Sequence, residues 1–308
     1  MNALVISGGG SKGAFAGGVA EHLIKHSKRD YDLFVGTSTG SLLIPFLAIG
    51  DIERIKRLYT TIEQSDIFTV CPFKIKQKNG IVKVGINHFG IVKQFIKKQK
   101  TLGDSTNLRN LIHDNFTKAD FEKIKTLKKE IVVTVANLTT QQIEYKSSND
   151  YSYADFCDWI WASCNMVPLM SLYSKNGYEY ADGGFGNLIP LQEAIKKGAT
   201  TIDAIVLRLE KATYSYPPLQ NALDIFARTS DFMLNRIAND DIIISQLQAE
   251  RNNVHISFYF INRVLTTRSF IFNKQEMATW WQEGLDLFKT TTHESHVIKA
   301  KSSSVDQV

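Results

Sequence analysis

SGGGSKGAFAGG, residues 7–18, is a glycine-rich segment that follows directly on the short apolar run Ala3–Ile6. The apolar run predicts a strand, and the spacing of the apolar residues that follow predicts a helix from Ala14 to His26. Clustered backbone N–H groups between a strand and a helix N-terminus stabilise negative charge. Two kinds of anion fit such a loop: the phosphates of a dinucleotide, and an oxyanion that exists only during a reaction.

The next predicted strand runs into VGTSTGS, residues 35–41, which contains the Gly-x-Ser-x-Gly pattern of a nucleophile elbow. In an elbow the serine lies on a tight strand-to-helix turn, where side chains two positions away on either side would collide. The pattern therefore predicts Ser38 as a nucleophile at a helix N-terminus, where developing negative charge is favoured. The other elbow residues are Gly36, Thr37, Thr39 and Gly40.

The elbow argues against a dinucleotide site, which requires an acidic residue near the end of the second strand for the ribose. That position holds Gly36 to Gly40, and a Walker loop fails because Lys12 is followed by Gly13. NAD binding is therefore the weakest interpretation, and we expect an oxyanion hole centred on Gly9 and Gly10. For Lys12, a solvated loop lysine and a residue that stabilises the loop or attracts a phosphate headgroup remain equally open. The expected oxyanion-hole residues are Gly8, Gly9, Gly10, Ser11, Lys12 and Gly13.

A base for Ser38 is not evident among the seven histidines, none of which has a recognisable catalytic setting. Tyr178–Ala181 predicts a strand that leads into DGGFGNLIP, residues 182–190. Asp-Gly-Gly alone is typical of a simple turn. Joined to the glycine loop and the early elbow, it resembles the patatin-like phospholipase family. That family combines a Gly-Gly-Gly-x-Lys/Arg-Gly loop, a Gly-x-Ser-x-Gly elbow and an Asp-Gly-Gly motif.

The resemblance covers roughly residues 1–210 and has direct implications for the fold and the chemistry. It implies an α/β fold, a three-layer α/β/α sandwich with a mainly parallel central sheet, as the alternation of strands and helices also predicts. It implies a Ser38–Asp182 dyad that hydrolyses phospholipid or lysophospholipid acyl esters without a metal or cofactor, with Gly183 and Gly184 in the supporting turn. Residues 161–168 also resemble a family segment, to which we assign no catalytic role. An acyltransferase with the same dyad and a non-catalytic membrane or lipid-binding module remain alternatives.

The extent of the resemblance implies a core, 1–210, which we expect to be followed by a mainly helical extension packed on it, 211–294, and a flexible tail, 295–308. Within the core, residues 72–100 contain eight lysines and no acidic residue, which indicates a basic insertion or lid. This insertion is either solvated, or a cap that docks on an anionic bilayer with apolar side chains below the headgroups. The apolar side chains expected to reach the bilayer are Phe73, Ile75, Phe89, Phe95 and Ile96.

Composition also excludes several classes of protein. A net charge of +5 is too small to argue for nucleic-acid binding. Three cysteines without metal-ligand spacing favour a reducing compartment over a disulfide framework or a zinc site. We expect no signal peptide and no transmembrane segment, and therefore a cytoplasmic protein that is at most peripheral on a membrane. The oligomeric state has no signature in the sequence.

Overall fold

The computed structural model describes residues 1–78, 81–211, 218–219, 222–289 and 297–298. In chain order its elements are β1 (Asn2–Ile6), α1 (Gly13–Glu21), β2 (Leu33–Thr37), α2 (Thr39–Ala48), α3 (Ile52–Thr61), α4 (Gln64–Ile67), β3 (Phe73–Lys78), β4 (Ile81–Ile86), α5 (His88–Ile96), α6 (Thr106–Asn115), α7 (Lys118–Thr126), β5 (Glu130–Asn137), β6 (Gln142–Ser147), α8 (Tyr153–Ser163), β7 (Tyr173–Lys175), β8 (Tyr178–Asp182), α9 (Leu191–Lys196), β9 (Thr201–Leu209), α10 (Ala222–Asn252), β10 (His255–Ile261), α11 (Lys274–Asp286) and β11 (Val297–Ile298).

Nine of the described strands form one mixed sheet in the order β11-β10-β9-β1-β2-β5-β8-β7, with β6 paired to β5. Its central pairs, β10–β9, β9–β1, β1–β2 and β2–β5, are parallel, whereas β6, β7, β8 and β11 pair antiparallel. Because the carboxyl ends of parallel strands meet at one edge, the loops after β1 and β2 emerge side by side. The glycine loop and the elbow are those two loops.

Both faces of the sheet are covered by helices. Leu4 and Ile6 of β1 face a core that includes residues of α1, α2, α8 and α11. Ala3 and Val5, on the opposite face, pack with Ala194 of α9 and with residues of α10. Alternation along a strand sends successive side chains to opposite faces, and buried strands apolar on both faces need two helix layers. The expected three-layer α/β/α sandwich with a mainly parallel sheet is confirmed.

The second half of the opening glycine segment packs against the C-terminal region. A Cβ on Gly18 of α1 would lie 2.0 Å from the carbonyl oxygen of Trp281, and one on Gly284 would lie 2.2 Å from that of Phe15. Glycines on both helices therefore let α1 and α11 approach backbone to backbone. The extension also supplies β10 to the central sheet, so it is joined to the core by strand pairing as well as by helices.

The basic insertion forms the β3–β4 hairpin and α5. Two of the side chains expected to reach a bilayer are not exposed: Phe73 is buried against Phe68, and Ile75 packs on the core. Phe89, Phe95 and Ile96 of α5 are exposed.

Of the expected flexible tail, only Val297 and Ile298 fall within the described residues, and they pair with β10. In the described part of the chain, no helix combines the length and apolarity needed to cross a bilayer.

Candidate active site

The glycine loop uses most of its N–H groups to hold itself in place. Gly8 N–H donates to Leu188 O (3.0 Å), and Ser11 N–H donates to Ser269 O (2.9 Å). Lys12 N–H bonds back to Gly9 O (3.3 Å), and Gly13 N–H bonds to carbonyls within the loop. Among the described residues, the N–H groups of Gly9 and Gly10 have no such partner, and both residues line a cavity with Ser38. Of the six expected oxyanion-hole residues, these two have N–H groups left for a ligand.

Glycine is required at position 10 for two independent reasons. Its φ of +58° lies in the left-handed region that side chains disfavour. A Cβ at this position would also lie 2.3 Å from Ser269 O, the atom that anchors the next residue of the loop. A side chain at position 10 would therefore displace the loop.

Ser38 occupies a strained turn between β2 and α2, with φ 54° and ψ −121°. Such a conformation costs about 1–3 kcal/mol and persists only where the surroundings enforce it. Cβ atoms on Gly36 and Gly40 would lie 2.6 Å from Gly40 C and 2.2 Å from Ile6 O, respectively. The collision expected from the sequence is therefore present in the structure, together with a close approach of Gly40 to β1.

Ser163, at the end of α8, holds the elbow from the other side. Its hydroxyl accepts the N–H of Ser38 (3.0 Å) and donates to Thr134 O on β5 (2.6 Å). The neighbouring thiol of Cys164 donates to Ser38 O (3.1 Å). Sequence reasoning assigned this segment no catalytic role. Its only signal was the resemblance of residues 161–168 to a family segment, and the contacts point to a positioning role.

Asp182 ends β8 and lies next to Ser38 because β5 pairs with both β2 and β8. The carboxylate is 2% exposed and accepts the N–H of Gly184 (2.8 Å), which forms the turn of the Asp-Gly-Gly motif. Burial raises the pKa of Asp182 to about 7, although hydrogen bonds from the Ser38 hydroxyl and the Gly184 N–H act in the opposite direction. A carboxylate with this pKa can accept a proton near neutral pH far better than an ordinary aspartate.

A second buried carboxylate connects the C-terminal region to the loop. Asp241 of α10 accepts the N–H groups of Leu188 (2.8 Å) and Ile189 (2.9 Å), and Leu188 O in turn holds Gly8. Burial raises the pKa of Asp241 to about 7 as well. The sequence contained no pattern that pointed to Asp241, since its contacts are to backbone atoms of a distant segment.

An apolar cavity of about 110 Å³ opens at these groups. Gly9, Gly10, Ser38 and Asp182 stand at one end, and the cavity follows one face of α2, past Leu42 and Pro45 to Phe46. The other walls come from α3 and α6, with Leu58, Ile62, Leu108, Leu111 and Phe116 among them. This arrangement places a serine hydroxyl, a buried carboxylate and two N–H donors beside an apolar cavity, which suits a ligand with an apolar portion.

A family model described as patatin-like phospholipase matches residues 4–195. The crystal structure of VipD from Legionella pneumophila is similar at a TM-score of 0.46 and 16% sequence identity. The similarity covers 92% of this chain and 65% of the VipD chain, so this chain spans less than two thirds of that protein. A comparison with curated proteins found no match.

Proposed function

The chain belongs to the patatin-like phospholipase family, and from this premise we propose that it is a serine acyl hydrolase of the phospholipase A or lysophospholipase type. Family membership supports the hydrolysis of lipid acyl esters in general. The observation that carries the finer proposal is that Ser38, Asp182 and the N–H groups of Gly9 and Gly10 meet at one end of an apolar cavity.

In the proposed reaction, Asp182 accepts the proton of Ser38 as the hydroxyl oxygen attacks the ester carbonyl carbon. The resulting tetrahedral oxyanion receives hydrogen bonds from Gly9 and Gly10, each worth on the order of 3 kcal/mol in the transition state. The alcohol then leaves with a proton from Asp182, and an acyl group remains on Ser38. Water, deprotonated by Asp182, attacks this acyl-enzyme and releases the fatty acid. These groups supply nucleophile, base and anion stabilisation, so the scheme requires no metal.

The apolar cavity suits the acyl chain. It runs from Ser38 to Phe46 along eight residues of α2, which corresponds to about 12 Å at the helical rise. Phe46, Phe116 and Asn115 lie at the far end. We therefore propose that the acyl chain enters this cavity from the ester end.

The basic insertion supports the further proposal of docking on an anionic bilayer. Gly90 and Gln94 face inward on α5, which leaves Phe89 and Ile96, 83% and 77% exposed, on the outer face. Lys93, Lys97 and Lys98 lie on or just after the same helix, and each contributes about 1 kcal/mol near an anionic surface. The hairpin before α5 lies close to the cavity, because Phe73 and Val84 share a small pocket with Phe270, which lines it.

Liposome binding tests the docking proposal. Wild-type protein should bind vesicles that contain phosphatidylglycerol more tightly than pure phosphatidylcholine vesicles, and salt should weaken this binding. Phe89→Ser and Ile96→Ser should weaken it further. Leu247→Ser is the matched control, because this leucine is also exposed but lies on α10, which covers the other face of the sheet. Equal, salt-insensitive binding to both vesicles would rule the proposal out.

Labelling of Ser38 tests the hydrolase proposal itself. A fluorophosphonate probe should label wild type and the exposed control Ser65→Ala, but not Ser38→Ala. Asp182→Asn should fold and lose turnover of short esters and of phosphatidylcholine, and EDTA should have no effect on wild type. Near-normal turnover by Asp182→Asn would refute the dyad. Transfer of the acyl group to an added alcohol in preference to water would indicate an acyltransferase.

A further inference from the structure

A second cavity, polar and about 60 Å³ in volume, adjoins the apolar one at the glycine loop. Gly8, Gly9 and Lys12 of the loop form one wall of it, and Gly9 lines the apolar cavity as well. The two cavities also share Leu188, Leu234 and Ser269 as lining residues. A molecule with its ester carbonyl at Gly9 and Gly10 can therefore extend an apolar arm into one cavity and a polar arm towards the other.

Opposite charges line this polar cavity. The ammonium of Lys12 donates to Leu207 O (2.9 Å), and it has two further protons. Asp231 of α10 stands in the same cavity, with Arg208 of β9 and the polar side chains of Asn235, Thr266 and Thr267. Lys12 and Asp231 attract each other, but among the described residues no ion pair within 4 Å joins either of them to a partner.

Both charges are partly withdrawn from water. Burial lowers the pKa of Lys12. Burial raises the pKa of Asp231, and the positive charges of Lys12 and Arg228 partly offset this rise. Desolvated charges that do not contact each other are costly, and a ligand that bridges them recovers part of that cost. The bridging ligand must be anionic at the Lys12 end and cationic at the Asp231 end.

We propose that this cavity binds the headgroup of a zwitterionic glycerophospholipid, with the phosphate at Lys12 and the cationic amine at Asp231. The inference rests on the proposed function, because it places the reacting ester at Ser38. In a glycerophospholipid the phosphate is separated from the ester carbonyl by only a few bonds, which matches a headgroup cavity that adjoins the apolar one at Gly9. An anionic headgroup without an amine, such as that of phosphatidylglycerol, would leave Asp231 unpaired.

Headgroup discrimination tests the inference. Phosphatidylethanolamine and phosphatidylglycerol with the same acyl chains are compared in micelles of an uncharged detergent. Wild type should prefer phosphatidylethanolamine, and Asp231→Asn should lower the ratio of the two kcat/KM values by about 10-fold. Asp240→Asn is the matched control, because it removes the same charge from an exposed position of the same helix. An unchanged ratio in Asp231→Asn, or an equal loss on both lipids, would overturn the inference.

A binding measurement separates this inference from the proposed function. Ser38→Ala protein is titrated calorimetrically with glycerophosphoethanolamine and with glycerophosphoglycerol, which carry the headgroups without acyl chains. The first should bind more tightly, and Asp231→Asn in the same background should remove about 10-fold of its affinity. Failure of this selectivity would contradict the headgroup site even if wild type hydrolyses esters. Selective binding by a protein that neither labels nor hydrolyses would contradict the hydrolase alone.

Discussion

Replacement of Asp182 by Asn should stabilise the protein at alkaline pH while it removes activity. The carboxylate is buried, and its pKa is about 7 in the folded chain, against 3.8 for an ordinary aspartate. The folded state therefore binds a proton more tightly than the unfolded state does. Wild-type stability is unaffected by this group below about pH 4, and it falls as the pH rises from there through 7, where the folded carboxyl finally ionises.

The magnitude follows from the size of the pKa shift. A shift of about three pKa units corresponds to roughly 4 kcal/mol of destabilisation above pH 7. Asn is neutral at every pH and keeps an oxygen that can accept the Gly184 N–H. With about 2.1 cal/mol/K of unfolding entropy per residue over 308 residues, the gain raises the Tm by about 6 °C.

Differential scanning calorimetry of wild type and Asp182→Asn at pH 4.5 and pH 8.5 measures this difference. The Tm of the variant should exceed that of wild type at pH 8.5 by several degrees, and the difference should shrink strongly at pH 4.5. Asp241 is present in both proteins, so its contribution to the pH dependence of the Tm cancels from the comparison. The exposed Asp150→Asn is the control and should show no such dependence. A gain of equal size at both pH values, or a lower Tm for the variant at pH 8.5, would refute the desolvated carboxylate.

Three further predictions address the catalytic groups. The kcat/KM of wild type for an uncharged ester should rise about tenfold per pH unit below pH 7 and level off above it, because Asp182 must be ionised to act as the base. A flat profile from pH 5 to 9 would contradict this role. Gly10→Ala should lower kcat at least about 100-fold, because its Cβ meets Ser269 O and displaces the loop. Gly50→Ala, also at positive φ but with nothing within 4 Å of its Cβ, should lose only stability. Ser163→Ala should lower kcat about 10-fold, because the Ser38 N–H loses its acceptor, while the exposed Ser174→Ala should not.

The strands β1, β2 and β8, the helix α1 and the elbow turn at Ser38 could be predicted from the sequence because their signals are local. The elbow pattern places Ser38 between two glycines, and a Cβ on the first, Gly36, would collide with its near neighbour Gly40. The apolar runs of β1 and β9 are continuous because both faces of those strands are buried. The same local logic failed for Phe73 and Ile75. A lysine-rich composition indicated exposure, but one face of this hairpin packs on the core.

Other parts of the candidate site could not be predicted from the sequence. Asp182 was paired with Ser38 only through a family resemblance, since their proximity depends on β5 lying between β2 and β8. The walls of the apolar cavity come from α2, α3 and α6, which are separate in sequence. Ser163 and Asp241 act on backbone atoms of distant segments, and such contacts produce no residue pattern.

The sequence by itself determined the local features of the candidate site: a serine on a strained turn, a glycine loop after the first strand and an Asp-Gly-Gly turn. These features depend on covalent geometry and on residues a few positions apart. Only the tertiary structure decided which N–H groups stay unpaired, because their competitors, Leu188 O and Ser269 O, come from far along the chain. It also decided the pKa of Asp182, because desolvation depends on everything packed around a carboxylate and not on its neighbours in sequence.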